Sequence, residues 1–144
     1  MKNIKLISVL IMAVLIVSAC GSSSGVLTVQ GASARPASAG ENGAAYFIIE
    51  NGTAANDTLL SVSSKIAAAT EIHMSMMMDG GVMSMQQQTS VPVPANDQVE
   101  FKTGGLHVMF FNLARDLKVG DTILIALNFE KAGSVTVEVV VKEP

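Results

Sequence analysis

Apolar residues alternate with polar or small ones along most of the chain after Val26. In the segments 122–130 and 134–142, apolar residues occupy every second position. Residues two apart point to the same face of a β-strand, so this pattern indicates strands with one buried face. Ala132-Gly133 separates the two segments, which predicts a hairpin. The 3.6-residue repeat of an amphipathic helix is scarce.

Nine segments after residue 25 have the length and composition of short strands. They are 26–30, 44–50, 58–63, 68–75, 82–87, 98–102, 106–112, 122–130 and 134–142. Turn sequences such as Asp79-Gly80-Gly81 and Gly104-Gly105 separate several of them. Short strands at this spacing are typical of β-sandwiches and barrels. We therefore predict an all-β fold with a single domain over residues 27–144.

The first 26 residues have a different character. Lys2 and Lys5 precede an apolar run over 6–17, and Val17-Ser18-Ala19-Cys20 resembles the lipobox of bacterial lipoproteins. The run is shorter than the ~20 residues that a membrane-spanning helix needs, so we expect a cleaved signal over 1–19. Cys20 would then carry a lipid, and 20–26 would form a flexible tether. An ordinary secreted protein with one spare thiol is the alternative.

This organisation predicts an exported protein, lipid-anchored on the outer face of a bacterial membrane. Without the signal, 7 basic and 12 acidic residues leave a formal charge of −5, which makes nucleic acid an improbable partner. No later stretch is apolar for 18 residues, so contact with the membrane would depend on the lipid anchor alone. We expect a monomer.

Methionine is concentrated in one part of the mature chain. Six of its seven methionines lie within 74–85, and the seventh is Met109. Strands prefer Val or Ile, and a core uses Met as a scattered gap-filler, so packing does not account for the cluster. The only two histidines lie beside methionine: His73 precedes the cluster and His107 is two residues before Met109. The grouping indicates a metal site.

Strand geometry brings these residues together in pairs. His107 and Met109 lie two apart and share a strand face. The Asp79-Gly80-Gly81 turn folds the segment of His73 back toward Met85. If the two pairs meet, the ligand set is His73, Met85, His107 and Met109.

Two imidazoles and two thioethers favour soft Cu(I), with Ag(I) as a mimic, over Zn, Mg or Ca. Met74 and Met83 are reserve ligands. Met83 shares a strand face with Met85, and the strand register decides which of the two is the third ligand. Residues 76–78 could add a second capture site or serve packing.

The spacing of these residues resembles a known family. His73-Met74, ten residues, Met85, twenty-one residues and His107-Val108-Met109 follow the pattern H(M)-x10-M-x21-H-x-M of the periplasmic copper chaperones called PCu(A)C. The blocks AAYF at 44–47, DGGVMSM at 79–85 and GGLHVM at 104–109 are similar to those of the family. The resemblance implies a cupredoxin-like Greek-key β-sandwich. It also implies delivery of Cu(I) toward the dinuclear copper centre of cytochrome c oxidase.

Two functions therefore compete. The first is a metallochaperone whose partner is a copper acceptor, either a cytochrome c oxidase subunit or an assembly factor. The second is copper or silver sequestration without a dedicated acceptor. A blue-copper electron carrier needs a Cys thiolate, and the only Cys is the predicted lipid anchor. With both histidines assigned to metal, no general base of the usual kind is left, so we expect no enzyme activity.

Overall fold

The computed structural model describes residues 25–143. The predicted signal segment 1–19, Cys20 and most of the tether lie outside this range. The strands are β1 (Leu27–Ala34), β2 (Gly43–Asn51), β3 (Asp57–Ser63), β4 (Ala67–Met77), β5 (Met83–Gln88), β6 (Val91–Val93), β7 (Asp97–Phe101), β8 (Leu106–Leu113), β9 (Thr122–Phe129) and β10 (Gly133–Val141). Within 25–143, no helix has the length and apolar character that crossing a bilayer requires. The all-β prediction is confirmed.

The ten strands form one sheet in the order β5-β4-β8-β7-β2-β1-β10-β9-β3-β6, which curves so that β2 also pairs with β8. Most neighbours are antiparallel, whereas β1 runs parallel to β10 and β7 parallel to β8. The strands β5 and β6 occupy the two ends of the order. The hairpin of β4 and β5 therefore lies at one edge of the sheet.

The core lies inside the curved sheet and is built from alternating positions. In β9, Ile123, Ile125 and Leu127 are buried, and Leu124 between them is exposed. The rings of Phe47 and Phe101 stack with centroids 4.5 Å apart where β2 pairs with β7. Burying one face of each strand explains why the period of two in the sequence predicted these elements.

Two elements differ from the sequence prediction. The prediction of nine strands is wrong because it omits β6, where Pro92 lies between the buried residues Val91 and Val93. Proline is tolerated there because β6 is an edge strand and one of its sides needs no backbone donor. The strand β1 also continues to Ala34 beyond its predicted end, across a register shift at Gly31 with φ of 64°. Glycine adopts this conformation without strain, which allows a bulge in mid-strand.

Candidate metal centre

The two histidines lie directly opposite each other on neighbouring strands. In the antiparallel pairing of β4 with β8, His73 is the partner of His107 and Glu71 is the partner of Met109. The two imidazole centroids are 6.0 Å apart. Ile72 and Val108 pair in the same ladder and are buried in the core, so the histidines occupy the opposite face.

Met85 reaches the same face from β5. Its cross-strand partner is Ser75, and the partner of His73 is Gln87. Met85 is therefore one diagonal step from His73, a Cα separation of about 7–8 Å that long side chains can span. The hairpin register thus makes His73 and Met85 diagonal neighbours on one face of the sheet.

A cavity of about 360 Å³ lies over this part of the sheet. Its wall includes His107, Met109, Met83 and Met85, together with Ser75 between the methionine-bearing strands. A larger cavity of about 650 Å³ lies around Ser64, Lys65 and Leu124, and neither His nor Met lines it. The soft donor atoms are thus gathered at the smaller cavity.

The hydrogen bonding of His107 prepares one ring nitrogen for a metal. His107 is only 5% exposed, and its Nδ1 lies 3.0 Å from the carbonyl oxygen of Gly105. A carbonyl oxygen can only accept, so Nδ1 carries the proton and Nε2 has the free lone pair. A backbone carbonyl that orients a ligating imidazole in this way is common in metal sites.

His73 is oriented by a carboxylate. Its Nε2 lies 2.8 Å from Oε2 of Glu71, which shares its strand face, and its ring packs 5.7 Å from that of Phe111. Nδ1 is buried and has no hydrogen-bond partner among the described residues. When Nε2–H donates to Glu71, the lone pair is on Nδ1. An unpartnered buried acceptor fits a metal ligand, because leaving it unsatisfied costs free energy.

The remaining methionines divide between the two faces. Met74 pairs with Leu106 and Gln86, on the side of the sheet that carries Ile72, so it lies away from His107 and Met109. Met83 lies on the same face as Met85 and lines the cavity. Met76 follows the parity of Met74 and lies on the face opposite to Met85.

The charged side chain among the residues that line the cavity is Arg35. Arg35 lines the cavity, donates to Oγ1 of Thr103 at 2.8 Å and lies 5.4 Å from the centroid of Tyr46. Repulsion from a fixed positive charge is proportional to the charge of an entering cation, so it disfavours divalent ions twice as strongly as monovalent ones. Among residues 25–143, no group of three or more His, Cys, Asp or Glu side chains could hold a metal. Thioethers would have to complete a coordination sphere.

The sequence prediction did not include three features of the centre. Glu71 lies two residues before His73, and the period of two would have placed both on one face. The Gly105 carbonyl has no signal in the side-chain pattern. Arg35 directly follows β1 and Tyr46 lies in β2, and only the tertiary fold brings them beside β8.

The chain is similar to known proteins over most of its described length. The family model of the LpqE-like lipoproteins matches residues 27–141. A copper-bound PCuAC domain from PmoF2 is 24% identical, with a TM-score of 0.68 over 85% of this chain and 97% of that one. The apo PCuAC domain from PmoF1 is also 24% identical, with a TM-score of 0.71 over 84% and 97%.

CuI-DR1885 from Deinococcus radiodurans is 27% identical, with a TM-score of 0.67 over 85% of this chain and 83% of that one. No curated protein matches the chain significantly. The predicted relationship to PCuAC domains is confirmed, and with it the cupredoxin-like β fold.

Proposed function

The chain belongs to the LpqE-like lipoprotein family, and from this premise we propose that it is a Cu(I)-binding metallochaperone of the PCuAC type. The proposed ligands are His73, Met85, His107 and Met109. Met83 is the alternative third ligand, and Met85 is preferred because it is one row closer to His73 in the hairpin ladder. Met74 has no place in this set, since its register puts it on the core side of the sheet.

The choice of Cu(I) is supported by donor chemistry. Thioethers are neutral and polarizable, so they bind a soft monovalent ion and give little stabilisation to Zn, Mg or Ca. The thioether sulfurs and the free imidazole nitrogens do not have to lose a proton to bind the ion. Two of the similar solved structures are described as copper-bound or CuI-bound, which agrees with this choice.

One observation carries the proposal most directly. His73 and His107 are cross-strand partners, and each has one ring nitrogen engaged by a hydrogen-bond acceptor. The other nitrogen of each ring is left as a lone-pair donor. His107 lines the cavity together with Met85 and Met109, and His73 does not line it but lies directly opposite His107. This arrangement fits a soft metal better than it fits core packing.

Delivery requires a site that opens toward a partner. His107 is 5% exposed, whereas Met85 is 57% exposed. An acceptor could displace Met85 first and take the ion by stepwise ligand exchange. We propose that the acceptor is a cytochrome c oxidase subunit or an assembly factor for its dinuclear copper centre. The chain would act as a monomer anchored by Cys20 on the outer face of the membrane, with no enzyme activity of its own.

The test is a Cu(I) titration of the mature chain carrying Cys20→Ser, against a competing chelator. We expect one tight equivalent that is lost in His107→Ala and in Met109→Ala. Met76→Ala, on the opposite face of the same hairpin, is the matched control and keeps the tight equivalent. Tight binding that persists in both site variants would refute the ligand set.

Transfer separates the chaperone from the sequestration protein. The copper-loaded chain is mixed with a copper-free oxidase fragment, and both proteins are analysed for copper after separation. A chaperone loses its copper to the fragment. Retention of copper on the loaded chain would instead support sequestration.

A further inference from the structure

The hairpin of β4 and β5 places a second group of thioethers beside the proposed ligand set. Met77 and Met83 are direct cross-strand partners, and Met85 follows Met83 two residues later on the same face. Directly opposed residues have Cβ atoms about 4.5–5.5 Å apart, and the diagonal neighbours are about 7–8 Å apart. Three flexible thioether side chains can therefore converge on one ion.

We propose that Met77, Met83 and Met85 form an outer Cu(I) site, which takes the ion first and passes it to His73, His107 and Met109. This inference rests on the proposed function, because it names the entry route of the same cargo. The outer site shares Met85 with the inner ligand set. Only two thioethers are thus exclusive to it.

Exposure favours a ligand role over packing. Met77 is 68% exposed and Met83 is 50% exposed, although large apolar side chains usually avoid water. Neither belongs to the core or to the partly buried residues packed against it. An exposed apolar cluster of this kind indicates a binding site.

The neighbouring residues leave the route inward clear. Ser75 stands between Met77 and His73 on the same strand face, and it is small and buried. Its backbone N–H donates to the carbonyl oxygen of Gly105 at 3.1 Å, which holds β4 against the loop before His107. Ser75, Met83, Met85 and His107 line one cavity. An ion at the outer site is therefore next to the inner ligands.

The transfer step is a ligand exchange without redox change. Copper stays Cu(I), its bonds to the sulfurs of Met77 and Met83 break, and bonds to imidazole nitrogen and to the sulfur of Met109 form. The bond to Met85 persists. Because the thioethers are neutral and the imidazole lone pairs are already free, no proton is taken up or released.

The test follows the methionine methyl resonances by NMR in the mature chain carrying Cys20→Ser, with Ag(I) as the probe. The first equivalent of Ag(I) should shift the methyl resonances of Met85 and Met109, and the second equivalent should shift those of Met77 and Met83. The double variant Met77→Leu/Met83→Leu conserves volume and should bind one equivalent only. Met76→Leu/Met78→Leu, in the same hairpin, is the matched control and should bind two.

The outcomes distinguish the two proposals. If Met77 and Met83 stay unshifted through two equivalents while Met85 and Met109 respond, the outer site is refuted and the proposed function stands. If no methyl group responds, both fail. Loss of the second equivalent in Met76→Leu/Met78→Leu as well would show that the capacity is not specific to the three thioethers, which also overturns the outer site.

Discussion

The hairpin of β9 and β10 and the hairpin of β4 and β5 have the same antiparallel backbone pairing but differ in what their faces contact. In the hairpin of β9 and β10, one face is packed into the core by residues such as Ile125 and Val139, both fully buried. In the hairpin of β4 and β5, every residue of β5 is exposed or half-buried. The first hairpin contains β-branched residues and the second contains methionine.

The comparison shows that the residue type at each position depends on what its strand face contacts. Val and Ile have few rotamers and pack well against fixed neighbours, which suits β9 and β10. Methionine has three rotatable bonds and a polarizable sulfur, so it adapts to a ligand that comes and goes. We therefore attribute the methionines of the edge hairpin to the proposed ligand role, and the aliphatic residues of the other hairpin to stability.

The largest expected effect is on stability and comes from the hairpin of β9 and β10, the packed hairpin. Ile125→Ala removes a fully buried side chain and should lower the free energy of unfolding by about 2–5 kcal/mol. Denaturant unfolding measures this change. Leu124→Ala, the exposed neighbour, is the control and should change stability by less than about 0.5 kcal/mol. Equal costs at the two positions would contradict the assigned burial.

In the edge hairpin of β4 and β5, we expect a substitution to lower Cu(I) affinity and to leave stability almost unchanged. Met85→Leu conserves volume at an exposed position, so the free energy of unfolding should change by less than about 0.5 kcal/mol. Cu(I) affinity should fall by about a hundredfold, since loss of even an indirect partner of a metal ligand has effects of that order. Chelator competition measures the affinity. An unchanged affinity would exclude Met85 from the ligand set.

A smaller effect is expected from the residue that orients His73. Glu71→Gln replaces the carboxylate that accepts from Nε2, and it should weaken Cu(I) binding by about tenfold. Glu138→Gln, an exposed position on β10, removes the same charge from the packed hairpin and should leave the affinity unchanged. If both substitutions weaken binding equally, the effect is one of net charge and Glu71 does not position the ring.

The smallest expected effect concerns the pH dependence of stability that comes from Asp57, which begins β3 and accepts hydrogen bonds from the turn between β9 and β10. Although burial acts to raise the pKa of Asp57, backbone N–H groups of Lys131, Thr58 and Ala132 donate to its carboxylate, and the pKa is lowered from its ordinary value of 3.8. A folded-state pKa below the unfolded one stabilises the protein above about pH 4, and that stabilisation disappears as the pH falls through the folded pKa.

Asp57→Asn should therefore lower the free energy of unfolding by about 1 kcal/mol at pH 7 and by less at pH 3. Denaturant unfolding at the two pH values measures this. Asp79→Asn, an exposed position in the turn of the edge hairpin, is the control and should change the free energy of unfolding by less than about 0.5 kcal/mol. A cost for Asp57→Asn that is the same at both pH values would show that the carboxylate charge is not what matters.

Much of the fold was predictable because a half-buried strand shows its period in the sequence. The hairpin of β9 and β10 follows this rule, and so do the buried positions of β2. The strand β6 was not predictable, because it has three residues with a proline at the centre. The bulge in β1 was also missed, since Gly31 is equally compatible with a turn.

For the candidate site, the donor residues could be predicted from the sequence, but the contacts that orient them could not. The chain has only two histidines, and both lie near the clustered methionines, so the donor types of the proposed site and their same-face pairing could be predicted from spacing. The sequence analysis kept Met74 as a reserve ligand, although the period of two places it on the strand face opposite to His73, and the register of β4 with β8 puts it on the core side. The orienting contacts of Glu71 and Gly105 were also not predicted.

By itself, the sequence determined the chemistry that this protein can offer: two imidazoles, clustered thioethers and a β-strand period that puts alternate residues on one face. Only the tertiary structure decided that His73 lies opposite His107, because that register connects strands far apart in the chain. The physical reason is burial. Ile72 and Val108 must both enter the core, and a slip of one residue between β4 and β8 would turn one of the two strands over. The packing of these two apolar residues therefore places the histidines side by side.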